Sequence, residues 1–299
     1  MRGNEPQQES ATPERVGGER RSWIPLIALS LAMFSVVLDS TMMNVAVGAI
    51  ARDLGTQVTG VQAAISLYSL VMASLMLAGG KLGAIQGAAR VFVVGCAVFG
   101  LGSLVAAFSP NLGILMLGWS VIEGIGAAAI LPMAMVLIFA SYTGSQRAIA
   151  FGVFGGVQAT GAAVGPILGG FLTSFLTWRV GFGMHVVIMF TAVILGLRIA
   201  ETSRDEDSEL DIVGTVLSAV GLALVVLGVL LAGRYGFFGA RRPLVISGSE
   251  IDLFGLSPTP ILIAIGLSVL VAFVHWQRHL QRTGRSPLLR IGVLRNARF

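Results

Sequence analysis

Long apolar runs, separated by short breaks carrying glycine or charged residues, dominate the chain from residue 23 onward. A hydrocarbon layer about 30 Å thick takes roughly 20 helical residues to cross, at a rise of 1.5 Å each. Eight runs meet that length approximately: 23–50, 59–79, 91–108, 112–140, 148–175, 180–200, 212–231 and 260–275. Backbone groups in lipid must satisfy one another within the segment, so these runs predict helices. The polar/apolar alternation that marks barrel strands is absent from the sequence. The pattern therefore predicts an all-α integral membrane protein.

Composition sharpens this reading. Of 299 residues, 55% are hydrophobic and 12% charged, with a mean hydropathy of +0.85. Soluble domains carry roughly 25% charged residues, and a soluble fold of this length still needs a polar exterior. A soluble enzyme is excluded on that ground, and a disordered chain by its high hydrophobicity. The net charge of +5 is spread between apolar runs and forms no basic face for nucleic acid. Arg and Lys in such places set orientation in the bilayer. With the N-terminus inside, fifteen of the 20 Lys and Arg fall on inner segments, which predicts cytoplasmic N- and C-termini. Trp23, Trp178 and Trp276 stand at span ends, as interfacial anchors do. The first run is far longer than a 7–15-residue signal core, so an uncleaved first span is expected despite Arg20 and Arg21 before it.

The breaks divide the chain into a cytoplasmic N-terminal tail (1–22), a six-helix bundle (23–200), an acidic cytoplasmic linker (201–211), two additional transmembrane helices (212–275) and a basic cytoplasmic tail (276–299). The acids of the linker lack the ligand spacing of a calcium loop. Cys96 is the single cysteine, and His185, His275 and His279 have no metal-ligand spacing with it. No metal or cofactor is expected. No serine, cysteine or histidine constellation suggests an enzyme.

Two acids lie within spans, Asp39 in the first and Glu123 in the fourth. Charge at lipid depth is costly and marks a functional candidate. By rise per residue, each stands roughly 17 Å from the outer end of its run, so the two can face one cavity. Carboxyl groups at that depth can take a proton from one side and release it to the other. That is the physical requirement of proton-coupled transport. His185, early in the sixth span, carries a side chain that titrates in the neutral range. In the fifth span Gly161, Gly165 and Gly169 recur every four residues, a smooth stripe for close helix contact. Pro166 within it removes the amide that would bond the Ala162 carbonyl. A kinked, glycine-faced helix suits a rocking interface between bundles.

Several segments together resemble the major facilitator superfamily, in particular its fourteen-helix drug:proton antiporter type. Leu38-Asp39-Ser40-Thr41-Met42-Met43-Asn44-Val45-Ala46, followed by Asp53-Leu54, is similar to that family's first-helix motif, with Gly48 in place of the usual proline. The run 161–170, through Gly169 and Gly170, resembles the antiporter motif of helix 5. Trp178-Arg179 resembles the pair before helix 6, and Gly118 to Ala128 the helix 4 motif. Leu210-Asp211 with Gly214 is similar to the start of the seventh helix, and Pro287-Leu288-Leu289 with Leu294-Arg295-Asn296 to the stretch before the ninth.

The resemblance implies a six-helix N-terminal bundle of 3+3 inverted repeats with two inserted helices. It implies export of small lipophilic or amphipathic compounds across the inner membrane in exchange for protons; without the helix-4 arginine, proton coupling is expected to rest on Asp39 and Glu123 themselves. Gly165 and Pro166 would form the hinge. Met42, Asn44, Trp119 and His185 are candidates to line the cavity. Gly80, Lys81 and Arg90 would belong to the cytoplasmic loop motif between helices 2 and 3. This sequence has Ala84, Ala88 and Ala89 where the family places charges in that loop, Ser120 where helix 4 usually has arginine, and Glu123 for a glutamine. The family binds substrate between two six-helix halves, and the chain supplies the first half and the inserted pair. Its expected partners are a small-molecule substrate, protons, the lipid bilayer, and a complementary C-terminal half or a homo-oligomer. The alternative is a truncated, non-transporting membrane protein that associates with another chain.

Overall fold

The computed structural model describes residues 22–202, 211–239, 244–246, 249–251, 257–283 and 288. The N-terminal tail up to residue 21, most of the acidic linker and most of the basic tail lie outside the described residues. Eight helices are long and apolar enough to cross a membrane. They are α1 (Ile24–Asp53), α2 (Val58–Gln86), α3 (Ala88–Ala107), α4 (Leu112–Ser141), α5 (Gly144–Phe175), α6 (Trp178–Gly196), α7 (Ile212–Tyr235) and α8 (Pro258–Arg282). A two-stranded antiparallel ladder, β1 (Leu244–Ile246) and β2 (Ser249–Ile251), pairs Leu244 with Ile251 between α7 and α8. The protein is otherwise helical in every described element.

The helices outrun the apolar stretches, because backbone hydrogen bonding continues into the interfacial layer after hydropathy has fallen. The second run was expected to end at residue 79, yet α2 continues to Gln86. Gly80 and Lys81 therefore lie in a helix and not in a loop. Gly87, at φ +98°, is the whole connection to α3, whose first turn holds Arg90. Likewise α8 runs past residue 275 to Arg282.

Polar caps mark several starts. Asn111 accepts from Ile114 N at 3.0 Å, Asp211 from Gly214 N at 2.8 Å, and Ser257 Oγ from Thr259 N at 3.2 Å. These side chains replace the missing carbonyl partners of a helix's first amides. Helix α4 is not uniform. Its stretch Met116–Glu123 is a π-helix, with regular α-helix on both sides.

Within the bundle α1 packs on α5 and α6, α2 on α4, and α3 on α4 and α6. Helices α7 and α8 pair with each other, and α7 leans on α2. The core holds Phe92, Phe99, Trp119, Phe154 and Phe182, all buried. The outer surface is apolar as well, with Ile167 72% and Phe190 66% exposed, which suits a lipid environment and not water. At one end of the bundle, Arg179 of α6 pairs with Asp53 of α1 and donates to Ser109 O at 2.9 Å. Trp178 Nε1 donates to the same Asp53 carboxylate at 3.1 Å, and the Arg179 guanidinium lies 4.3 Å over the Trp178 ring. At the opposite end Tyr142 Oη accepts from Leu26 N and donates to Ser22 O, each at 3.2 Å.

Candidate functional site

Asp39 sits mid-way along α1 and is fully buried. Its Oδ2 accepts from Trp119 Nε1 at 2.9 Å, which joins α1 to the π-helical stretch of α4. Its Oδ1 has no hydrogen-bond partner among the described residues and lies 3.7 Å from His185 Nε2 of α6. His185 is fully buried too, with Nδ1 2.7 Å from Ser35 Oγ. Ser35 precedes Asp39 by one helical turn, so both side chains leave α1 on one face.

The π-helical stretch distributes its polar side chains to three neighbours. Trp119 reaches Asp39 on α1, while Ser120 Oγ donates to Ala64 O of α2 at 2.7 Å. Glu123 turns to α3, where a Cβ on Gly102 would stand 2.6 Å from Glu123 N and 2.7 Å from its Cγ. Only glycine at 102 leaves room for that approach. A π turn inserts an extra residue into the helical repeat, which lets neighbouring positions in the chain point in directions a regular α-helix would not combine.

Glu123 is fully buried, and neither carboxyl oxygen has a well-aligned hydrogen-bond partner among the described residues. Ser103 of α3, one residue from Gly102, is buried as well and donates its hydroxyl to Phe99 O at 3.1 Å. Tyr68 of α2 is buried beside the same group, its ring 6.5 Å from that of Trp119, and its hydroxyl has no hydrogen-bond partner among the described residues. Phe182 meets Trp119 edge-on at 5.8 Å, and Phe99 meets His185 at 6.2 Å. The structure thus brings Asp39, Glu123, Trp119 and His185 into one interior cluster. Ser35, Tyr68 and Ser103 complete it. The sequence reading did not single out these three, although a hydroxyl one turn from Asp39 is the kind of signal that finds Ser35.

Other expected site residues lie apart. Asn44 is exposed and donates to Ser40 O of its own helix, and Met42 is buried against Gly169 and Gly181. The stripe of Gly161, Gly165 and Gly169 packs on α1, within the six-helix bundle and not on a face turned to a second bundle. A Cβ on Gly165 would collide with Thr41 Oγ1, and one on Gly169 would come within 2.6 Å of Met42 O. Thr41 Oγ1 also donates to Gly161 O at 3.3 Å across the contact. Pro166 is exposed, and Gly170 has open space where a side chain would be. Lys81 is buried in α2. The Arg90 amide donates to Glu201 Oε2 at 3.2 Å, beside Ala89 N to Glu201 Oε1 at 2.9 Å and Ala88 N to Thr202 Oγ1 at 3.1 Å. A separate cleft of about 650 Å³ opens between α2 and α7, lined by Gln62, Ser66, Leu70, Met116, Leu227 and Leu231 among others. Neither acid lines it.

The sequence profile of the Major Facilitator Superfamily matches residues 29–295. The chain is 35% identical over 285 residues to the puromycin resistance protein pur8 of Streptomyces alboniger, covering 93% of this chain and 51% of that one. It is 30% identical over 302 residues to the multidrug efflux pump LfrA of Mycolicibacterium smegmatis, covering 93% of this chain and 60% of the relative. The chain thus spans about half the length of the curated relatives it matches. Among solved structures, the peptide transporter POT in complex with sulfate superposes with a TM-score of 0.57 at 14% identity, over 87% of this chain and 69% of that one. At that identity the likeness concerns the fold alone.

Proposed function

The chain belongs to the Major Facilitator Superfamily, and from that premise we propose that it works in proton-coupled efflux of small lipophilic or amphipathic compounds, as an antiporter of the fourteen-helix drug:proton type. In this reading it contributes the first six-helix bundle and the inserted pair α7–α8. It sits in the inner membrane with both termini cytoplasmic.

The observation that carries the proposal is the full burial of two carboxyl groups, Asp39 and Glu123, on the two helices that the Trp119–Asp39 hydrogen bond joins. The two groups lie on different helices in a fully buried interior, and three of their four oxygens lack a hydrogen-bond partner among the described residues. A bundle gains nothing in stability from such an arrangement, because unpaired buried carboxyl oxygens are costly. Groups that gain and lose protons explain why it is kept. The absence of arginine at position 120 fits the same account: Ser120 is used to tie α4 to α2, which leaves proton handling to the acids themselves. The names of the relatives, resistance and efflux proteins, support the class of cargo.

Reconstitution in lipid vesicles tests this. An imposed proton gradient should drive efflux of a lipophilic cationic dye, and Asp39→Asn or Glu123→Gln should reduce it to the level of protein-free vesicles. Efflux that persists in both variants overturns the assignment. A folded, oligomer-forming chain that moves nothing supports the non-transporting alternative.

A further inference from the structure

We propose that His185 forms a proton-holding pair with Asp39, and that Ser35 is the positioning residue that lets the pair change state. The inference rests on the reading above, since the proton it concerns is the one whose movement is coupled to export there.

Its basis is the division of labour among four atoms. Asp39 Oδ2 is occupied by the Trp119 indole N–H, a group that only donates, so this oxygen remains an acceptor. Oδ1 is left facing His185 Nε2 at 3.7 Å, and both atoms are buried without a hydrogen-bond partner among the described residues. That separation is within ion-pair reach and longer than a hydrogen bond. On the other side of the ring Nδ1 is 2.7 Å from Ser35 Oγ. A hydroxyl both donates and accepts, so Ser35 serves either imidazole tautomer.

The pair therefore has two complementary arrangements differing by one proton. In the unloaded state Asp39 is ionised, Nε2–H points at Oδ1, and Ser35 donates its hydroxyl proton to Nδ1. In the loaded state an incoming proton is bonded to Nδ1 and the Nε2–H bond has broken as its proton passes to Oδ1. Asp39 is then neutral and donates to Nε2, and Ser35 accepts from Nδ1–H. Each state satisfies every polar atom that the other satisfies, which a carboxyl group alone in this interior could not do. The other titratable groups facing the cluster are Glu123 of α4 and Tyr68 of α2. Helix α3 presents the Phe99 ring to His185, and Phe182 flanks it from its own helix.

The test reads the tautomer directly. The chain has three histidines, so ¹⁵N-histidine labelling in lipid nanodiscs gives few signals, and His185→Gln identifies the one of interest. If that variant fails to fold, His275→Asn with His279→Asn isolates the same signal, since both positions are exposed. From mildly alkaline to mildly acidic pH, Nε2 should change from protonated to unprotonated and Nδ1 the reverse. Asp39→Asn should hold Nε2 as an acceptor throughout. Ser35→Ala should displace the transition, Ser35→Thr should restore it, and Glu123→Gln should shift but not abolish it. A tautomer that does not change with pH, or that responds identically in Asp39→Asn, overturns the pair. A clear switch in a protein that shows no gradient-driven efflux would support the pair and remove its assignment to transport. Efflux that needs Asp39 beside an unresponsive His185 would retain transport and overturn the pair.

Discussion

Trp119 gives its indole hydrogen to Asp39 Oδ2 across 2.9 Å, and so joins α4 to α1 at a point where both side chains are buried. Trp119→Phe keeps most of the ring but strands a buried carboxyl oxygen. We expect it to lower stability by about 1–3 kcal/mol, the cost of leaving a buried acceptor unpaired. Removing the acceptor as well, with Asp39→Leu, should make the Trp119→Phe step much smaller. Unfolding of the four proteins of this cycle in detergent measures the coupling, and equal steps in both backgrounds would refute it.

Gly165 and Gly170 belong to the same short segment of α5 and should respond oppositely. A side chain at 165 meets Thr41 and the Met42 backbone of α1, whereas one at 170 meets open space. Gly165→Val should cost about 1–3 kcal/mol through overpacking. Gly170→Ala should be neutral or stabilise by about 0.5–1 kcal/mol, as replacing a mid-helix glycine does. Thermal unfolding of the two variants side by side decides it.

Glu201, just beyond α6 in the chain, caps the first turn of α3, with its carboxylate in the space a Cβ on Gly87 would need. Glu201→Ala should free the Ala89 and Arg90 amides at a cost of about 0.5–2 kcal/mol, typical of a lost cap. Hydrogen exchange at those two amides should rise, with no change in the middle of α3. Uniform exchange along the whole helix would count against a local cap.

Asp211 holds three partners where α7 begins and α8 nears its end: Gly214 N, Trp276 Nε1 at 3.0 Å and Gln277 Nε2 at 2.7 Å. Gln277 Oε1 in turn accepts from Leu288 N at 2.7 Å. Asp211→Ala should loosen α7 from α8 at this end while leaving the six-helix bundle intact. Proteolysis should cut faster beyond residue 202, and hydrogen exchange at the Gly214 amide should rise. Unchanged rates in both assays would contradict the role given to Asp211.

What the sequence discloses follows from which forces act locally. The bilayer imposes a length and a hydropathy on every span, so all eight helices are legible in the chain. An acid in an apolar run stands out for the same reason, which is how Asp39 and Glu123 are found. Contacts made across the bundle leave no such trace. Ser35 and His185 lie 150 positions apart, and nothing in either neighbourhood names the other. The π-helical stretch Met116–Glu123 is equally silent, because hydropathy does not record which carbonyl an amide chooses. The helix extensions at Gln86 and Arg282 escape notice since polar residues can continue a helix once it leaves lipid.

The single residue between α2 and α3 has a mechanical consequence. Gly87 leaves no slack, so the joined ends of the two helices cannot slide or splay without unwinding a turn of one of them. With the Glu201 carboxylate on the first amides of α3 as well, the last turn of α2 and the first turn of α3 are bound to move together, so a displacement of either joined end is handed directly to the other helix.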